Sequence, residues 1–250
     1  MKLTVLGCSG TWPNDGTATS GYLVQHDGFN LYLDAGTGTL ANLQRYIEIA
    51  QIDAIAITHE HPDHFVDLYP TFYARFYGEL GEHGLPVFVP LEFRQKLADV
   101  VSIDSQVGMH TAFAFQEVPP GDGFELGPFR VKTEHMEHLG LPALGYRIEA
   151  DGQVLAYTGD SGPTHHIETL AKDAHVLLAE ATWQDRDDLL PFHMSARQAA
   201  DHARVAGVDR LVLTHIWPTL DRDVSLEQAS EEFDGLIDLA AEGMSLEVGG

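Results

Sequence analysis

The run His59-Glu60-His61-Pro62-Asp63-His64 constrains this chain more than any other segment. Five of its six side chains are imidazoles or carboxylates, which a fold cannot bury without giving each polar atom a partner. The preceding stretch, Asp53 to Thr58, is apolar and reads as a buried strand, so the cluster begins where a strand ends. On extended backbone His59 and His61 project to one side, and Asp63 and His64 turn toward a neighbouring position as a helix starts. Glu60 and Pro62 then point away. One short loop of this kind serves two adjacent metal ions, and its nitrogen and oxygen donors suit zinc, with manganese or iron as alternatives.

The rest of the chain alternates between strand and helix patterns. Leu3 to Leu6, Tyr22 to Gln25 and Leu31 to Leu33 are short apolar runs, with a hairpin expected through His26-Asp27-Gly28. Leu40 to Ile49 carries apolar residues at helical spacing. Beyond the cluster the pattern predicts helix over 66–77, strand over 86–89 and helix over 92–101. Strands follow over 112–117, 129–134, 144–149 and 154–158. Helix 164–171, strand 175–180, helix 196–206, strand 210–214, helix 225–235 and a last strand near Leu246 complete the order. No low-complexity linker, repeat or composition break interrupts it, so residues 1–250 read as one domain. Two sheets faced by helices are the simplest layered solution.

Charge narrows the partners. Lys plus Arg number 14 against 38 Asp plus Glu, a formal net charge of -24. Extended nucleic-acid binding needs many cations along the phosphates and is disfavoured. A small anion at a metal site is compatible with this surface, because bound divalent cations dominate their local field. Cys8 is the only cysteine, which removes internal disulfides and thiolate-rich metal sites and points to the cytoplasm. No apolar targeting segment precedes it, and no stretch approaches the roughly 20 apolar residues that span a bilayer. A homodimer is compatible with all of this.

A metal pair needs more donors than one loop supplies. Candidates are His138, Asp160 in Tyr157-Thr158-Gly159-Asp160, and His215 in Leu213-Thr214-His215. Asp160 and His215 sit just past apolar strands, where open α/β folds present site residues. Asp34 reads either as support for a histidine ligand or as the cap of a helix starting near Leu40. Trp183, Phe192 and Trp217 flank the site in sequence and read either as a stacking surface for a nucleobase or as aromatic core. His83, His110, His165, His166, His175 and His202 read as surface or structural.

Taken in order, His59-x-His61-x-Asp63-His64, His138, Asp160 and His215 resemble the metallo-β-lactamase superfamily over nearly the full length. The resemblance implies an αββα four-layer sandwich. It also implies His59, His61 and His138 on one metal, Asp63, His64 and His215 on the other, and Asp160 bridging, with His135 as the alternative to His138. Asp160 stands where β-lactamase-like members carry Cys, which points away from antibiotic hydrolysis. Leu144-Gly145-Tyr146-Arg147, Ala179-Glu180-Ala181-Thr182 and His193-Met194-Ser195 are similar to ribonuclease Z-like phosphodiesterases, in which the histidine matching His193 assists cleavage. True ribonuclease Z inserts a long tRNA-gripping arm between its third and fourth motifs, yet only 22 positions separate His138 from Asp160 here. Leu6-Gly7-Cys8-Ser9-Gly10, Leu213-Thr214-His215-Ile216 and Phe233-Asp234-Gly235 resemble actinobacterial cyclic-AMP phosphodiesterases.

The expected activity is therefore hydrolysis of a small phosphodiester or nucleotide by a pair of divalent ions. Such a pair lowers the pKa of bound water from 15.7 toward about 7, and the hydroxide held between the ions attacks phosphorus. His193 is the expected proton donor to the leaving alkoxide, and Asp63 orients the nucleophile as well as binding metal. The alternatives are a tRNA 3′-processing nuclease, another hydrolase such as a lactonase, and a metal- or nucleotide-binding module without turnover.

Overall fold

Short runs rich in Val, Ile, Leu and aromatic residues assemble into two seven-stranded sheets. They are seen in a computed structural model that describes residues 1–98, 100–185 and 190–249. The first sheet has the order β14-β1-β2-β3-β4-β5-β6. Its strands are β1 (Lys2–Gly7), β2 (Gly21–His26), β3 (Phe29–Ala35), β4 (Ala54–Ala56), β5 (Leu85–Pro90), β6 (Phe113–Val118) and β14 (Ser245–Glu247). The second has the order β13-β12-β11-β10-β9-β8-β7. It holds β7 (Gly123–Leu126), β8 (Phe129–His135), β9 (Leu144–Ala150), β10 (Gln153–Tyr157), β11 (Val176–Glu180), β12 (Arg210–Thr214) and β13 (Leu236–Leu239). Each sheet is half antiparallel meander and half parallel: pairing turns parallel at β3–β4 in one and at β10–β11 in the other.

Helices cover both outer faces. Over the first sheet lie α1 (Thr39–Leu43), α2 (Pro62–Phe65), α3 (Leu68–Phe76), α4 (Phe93–Ala98) and α5 (Ile103–Ala112), and over the second α6 (His165–Ala171), α7 (Ala196–Ala206) and α8 (Arg222–Ser230). Three buried clusters separate the four layers: one between the sheets, and one under each helical layer. The expected αββα sandwich is thus observed. In α7 the buried face is Ala196, Ala199, Ala200, Ala203 and Ala206, small side chains that let the helix lie close on its sheet. Ser195 and Gln198 form a reciprocal capping box at its start, and Gly207 ends it with φ 71.

Several element boundaries depart from the sequence pattern. The helix expected over 40–49 stops at Leu43, and the chain tightens through Arg45 N to Asn42 O and Tyr46 N to Leu43 O before a single 3₁₀ turn at Ile49–Gln51. Ile47 and Ile49 are still buried, which is why the apolar period continues past the helix end. The helix expected over 66–77 is broken at Asp67, whose amide donates to Ala35 O and whose carboxylate accepts from Leu40 N. The helix expected over 225–235 starts earlier, at Arg222, because Asp221 caps it through the Asp223 amide, and its last residues instead lead into β13. Within the helix expected over 92–101, position 99 lies outside the described residues. Helix α5 went unpredicted because its Ile103 and Val107 face solvent and blur the amphipathic period. Among the described residues no helix is long and apolar enough to cross a membrane.

Candidate metal centre

The first sheet contributes its donors from one loop. His59 follows β4, and His61 is the N-cap of α2 in extended conformation (φ -76, ψ 138) with Pro62 at the first helical position. Asp63 and His64 then lie in the first turns of α2. From the second sheet, His138 follows β8, Asp160 follows β10 and His215 directly follows β12. Three buried tyrosines set one sheet against the other at this end. Tyr157 donates to Asp34 Oδ2 at 2.8 Å, Tyr146 donates to Ile57 O at 2.9 Å, and the Tyr22 hydroxyl lies 2.7 Å from Thr214 Oγ1.

The donors form two cages. In the first, His61 Nδ1 lies 3.1 Å from His59 Nε2 and 3.0 Å from His138 Nε2, while Asp160 Oδ2 lies 3.7 Å from His59 Nε2 and 3.9 Å from His138 Nε2. In the second, His64 Nε2 is 3.6 Å from Asp63 Oδ2 and 3.2 Å from Asp160 Oδ1, and His215 Nε2 is 3.2 Å and 3.4 Å from the same two atoms. Corners of a tetrahedron about 2.0–2.1 Å from a zinc ion are roughly 3.4 Å apart, so both cages have the size of a four-coordinate site. Asp160 places one oxygen in each.

Hydrogen bonds on the far side of four of the five rings leave lone pairs facing inward. His138 Nδ1 donates to Phe192 O at 2.7 Å, His64 Nδ1 donates to Asp34 Oδ2 at 2.7 Å, and His215 Nδ1 donates to Thr182 Oγ1 at 2.8 Å. Thr58 Oγ1 donates to Asp34 Oδ2 at 2.9 Å and accepts from His59 Nδ1 at 3.0 Å. His64 Nε2 and Asp160 Oδ1 are buried with no hydrogen-bond partner among the described residues. Buried acceptors that converge without donors call for a cation. The residues therefore fit a divalent metal pair.

The electrostatics agree. Burial alone favours the neutral acid at Asp160, but His215, His64 and His59 hold it well below the usual carboxylate range. Asp63 is lowered against burial in the same way, by His64 and His215. Burial opposes charge on His64, yet Asp160, Asp63 and Asp34 raise its proton affinity well above that of an ordinary histidine. Burial and the neighbouring His64 push His59 far down. The centre thus demands positive charge that its own side chains do not supply evenly.

His193 lies beside both cages without belonging to either. Its ring is 4.9 Å from that of His138 and 5.7 Å from that of His215. Nδ1 donates at 2.8 Å to Glu180 Oε1. Burial lowers its proton affinity, but Glu180 more than reverses this and, with Asp160, raises the pKa to about 9. Glu180 is fully buried and also accepts from Ser161 N, Thr182 N and Thr182 Oγ1. Thr182 therefore links Glu180 to His215, and one carboxylate orients the loose histidine and a metal-facing one.

His59, His61, Asp63, His64, His138, Asp160, His193 and His215 all meet here. His135 does not: it pairs with Glu137 at 3.5 Å, and its side chain is 38% exposed. Asp34 supports His64 and caps no helix, since the N-cap of α1 is Gly38, with no side-chain cap. Glu60 turns away to an ion pair with Lys96. Glu180 and Thr182 carry no role in the sequence reading, although Glu180 was visible as an acid closing the otherwise apolar strand β11. Thr11 was missed as well. Its amide lies 3.3 Å from His215 Nε2, and no motif marks it.

Fold and site together define a metal-dependent hydrolase built as an αββα sandwich. The chain belongs to the metallo-β-lactamase superfamily: residues 29–216 match the beta-lactamase superfamily domain. It is 32% identical to the probable metallo-hydrolase YhfI of Bacillus subtilis, over 97% of this chain and 98% of that one. The crystal structure of YhfI superposes with a TM-score of 0.88, covering 98% of this chain and 99% of the other. Ribonuclease Z of Methanopyrus kandleri is 28% identical over 99% of this chain and 98% of its own length. That alignment runs over 285 positions, so the ribonuclease carries stretches that this 250-residue chain lacks.

Proposed function

We propose that the centre hydrolyses a small phosphodiester, with a cyclic nucleotide as the leading substrate class, and that zinc fills both cages. His193 carries this reading. It is a non-ligand imidazole placed between a histidine of each cage and held as imidazolium by buried Glu180. With Nδ1 committed to Glu180, Nε2 is the atom that can give a proton to a departing alkoxide.

His59, His61 and His138 would hold one ion, Asp63, His64 and His215 the other, and Asp160 both. The pair supplies an activated water and positive charge for the phosphoryl oxygens. Asp63, beside His64 and His215, orients that water. Asp34 and Thr58 keep the His64 and His59 rings turned to the centre, and Thr182 does so for His215.

The chain between His138 and Asp160 is spent on the β9–β10 hairpin and its Asp151-Gly152 turn, and this supports the reading that no tRNA-gripping arm sits in that interval. The net charge of -24 argues in the same direction. Similarity to ribonuclease Z favours a second reading, a nuclease acting on tRNA precursors. A panel of cyclic AMP, an aryl phosphodiester, a tRNA precursor and a lactone, run on protein of measured metal content, separates the two. Turnover of the cyclic nucleotide and the aryl diester is expected. Cleavage of the precursor or the lactone alone would sink the proposal.

A further inference from the structure

The chain has three tryptophans, at positions 12, 183 and 217. They are far apart in sequence, yet they form a row that starts beside His193. The Trp183 ring is 5.6 Å from His193 and 4.4 Å from Trp217, and Trp217 is 5.5 Å from Trp12. Exposure rises along this row, from 5% at Trp183 to 38% at Trp12. Core packing accounts for Trp183. It does not account for an exposed indole at the open end of a row that begins at His193.

The backbone that presents Trp12 is held with care. Thr11 has φ 64, a conformation that a β-branched residue adopts only under strain. Its hydroxyl accepts from Trp217 Nε1 at 3.0 Å, and its amide faces His215, whose Nε2 belongs to the second cage. Ser9 Oγ donates to Trp12 O at 2.7 Å, and Gly10 N donates to Ile216 O at 3.1 Å. A Cβ at Gly10 would stand 2.4 Å from His215 O, so only glycine lets the two loops approach this closely. The loop after β1 is thereby fastened to the loop after β12 at the residue that faces the second cage.

We propose that the exposed indole of Trp12, propped at an angle of 56° by Trp217, is a base-binding platform that stacks the planar ring of a nucleotide whose phosphodiester occupies the metal centre. This rests on the phosphodiesterase reading and adds what recognises the rest of the substrate. Trp217 packs against both Trp12 and Trp183 and its indole N–H is bonded to Thr11, so it props the Trp12 ring and adds no hydrogen-bond code. Stacking of that kind reads ring size and planarity and tolerates base identity. Purine nucleotides bind more tightly than pyrimidine ones, with little distinction between adenine and guanine.

Because every tryptophan of the chain lies in this row, total tryptophan emission reports on it. Metal-loaded protein is titrated with AMP and, separately, with ribose 5-phosphate, which keeps the phosphate and sugar but has no base. AMP is expected to quench emission saturably and to bind more tightly than ribose 5-phosphate. Trp12→Ala should weaken AMP about 5- to 100-fold and leave ribose 5-phosphate within about twofold, with Trp12→Phe recovering most of the loss. Metal content and melting temperature of both variants, equal to those of the parent, exclude a folding defect. AMP affinity unchanged in Trp12→Ala overturns the platform and leaves the phosphodiesterase reading standing. AMP binding no tighter than ribose 5-phosphate in the parent also overturns it, and the substrate panel then decides separately whether the centre cleaves phosphodiesters.

Discussion

Asp34 accepts a 2.7 Å hydrogen bond from His64 Nδ1 while holding φ 53, a left-handed conformation uncommon outside glycine. The same carboxylate takes bonds from the Thr58 amide, the Thr58 hydroxyl and the Tyr157 hydroxyl, the last from the opposite sheet. It is therefore a buried acceptor with four donors, and its role is to fix the His64 ring rather than to touch metal. Asp34→Asn puts an NH₂ among those donors. The expected result is a loss of about 10- to 100-fold in affinity for the second ion, read by competition with a chromogenic chelator. Unchanged affinity for both ions would remove Asp34 from the support of the site.

Gly36 lies where three segments cross. A Cβ there would stand 1.9 Å from Asp63 O, 2.4 Å from Thr19 Oγ1 and 2.7 Å from Ser20 O. Backbone on that side cannot yield without moving the residue that precedes His64. Gly36→Ala should destabilise the protein by roughly 2–4 kcal/mol in urea unfolding and lower metal content at the same time. At Gly123 the nearest atom would be 3.4 Å away, so Gly123→Ala serves as the control with little effect.

The metal loop was legible because its chemistry is contiguous: four donors in six residues state their purpose without a fold. Asp160 and His215 were legible because each follows an apolar run, and strand ends are where such sheets present side chains, whereas His138, between β8 and β9, was picked out by the resemblance and its distance to Tyr146-Arg147. The roles of Glu180 and Thr182 were not legible, since the run Ala179-Glu180-Ala181-Thr182 carries a resemblance but does not say that His193 lies 2.8 Å from Glu180. The ambiguity at Asp34 had the same origin. Its two readings differ only in which residue lies opposite, and that is set by sheet pairing over long sequence distance. The broken helix at Asp67 and the exposed face of α5 hid for a different reason, because amphipathic periodicity records burial and not hydrogen bonding.

Asp160 offers one oxygen to each cage, so its removal should affect both ions together. Ligand linkage stabilises the folded state by about 4 kcal/mol when free metal exceeds its dissociation constant 1,000-fold. Chelation should lower the melting temperature of the parent by several degrees. In Asp160→Ala both metals should be reduced in elemental analysis, and the chelator shift should largely vanish. If the variant keeps two ions and the full shift, the shared-carboxylate geometry is wrong.

The pairing of His193 with Glu180 sets a pH dependence whose sign follows from the direction of the shift. Glu180 favours the imidazolium, so the proton donor is present at neutral pH and is lost as pH rises through the raised folded-state value. Bound cations oppose that shift, and the carboxylate works against them. Glu180→Gln removes this support, so the alkaline limb of kcat should move to lower pH than in the parent. Stability has the same sign. In metal-free protein the contribution of the pair is complete below the ordinary histidine value of about 6.5 and fades as pH rises through about 9, so the gap in melting temperature between parent and Glu180→Gln should narrow over that window. His193→Ala should lower kcat about 10²- to 10⁴-fold with both ions retained. An alkaline limb that stays in place in Glu180→Gln would show that His193 does not donate the proton.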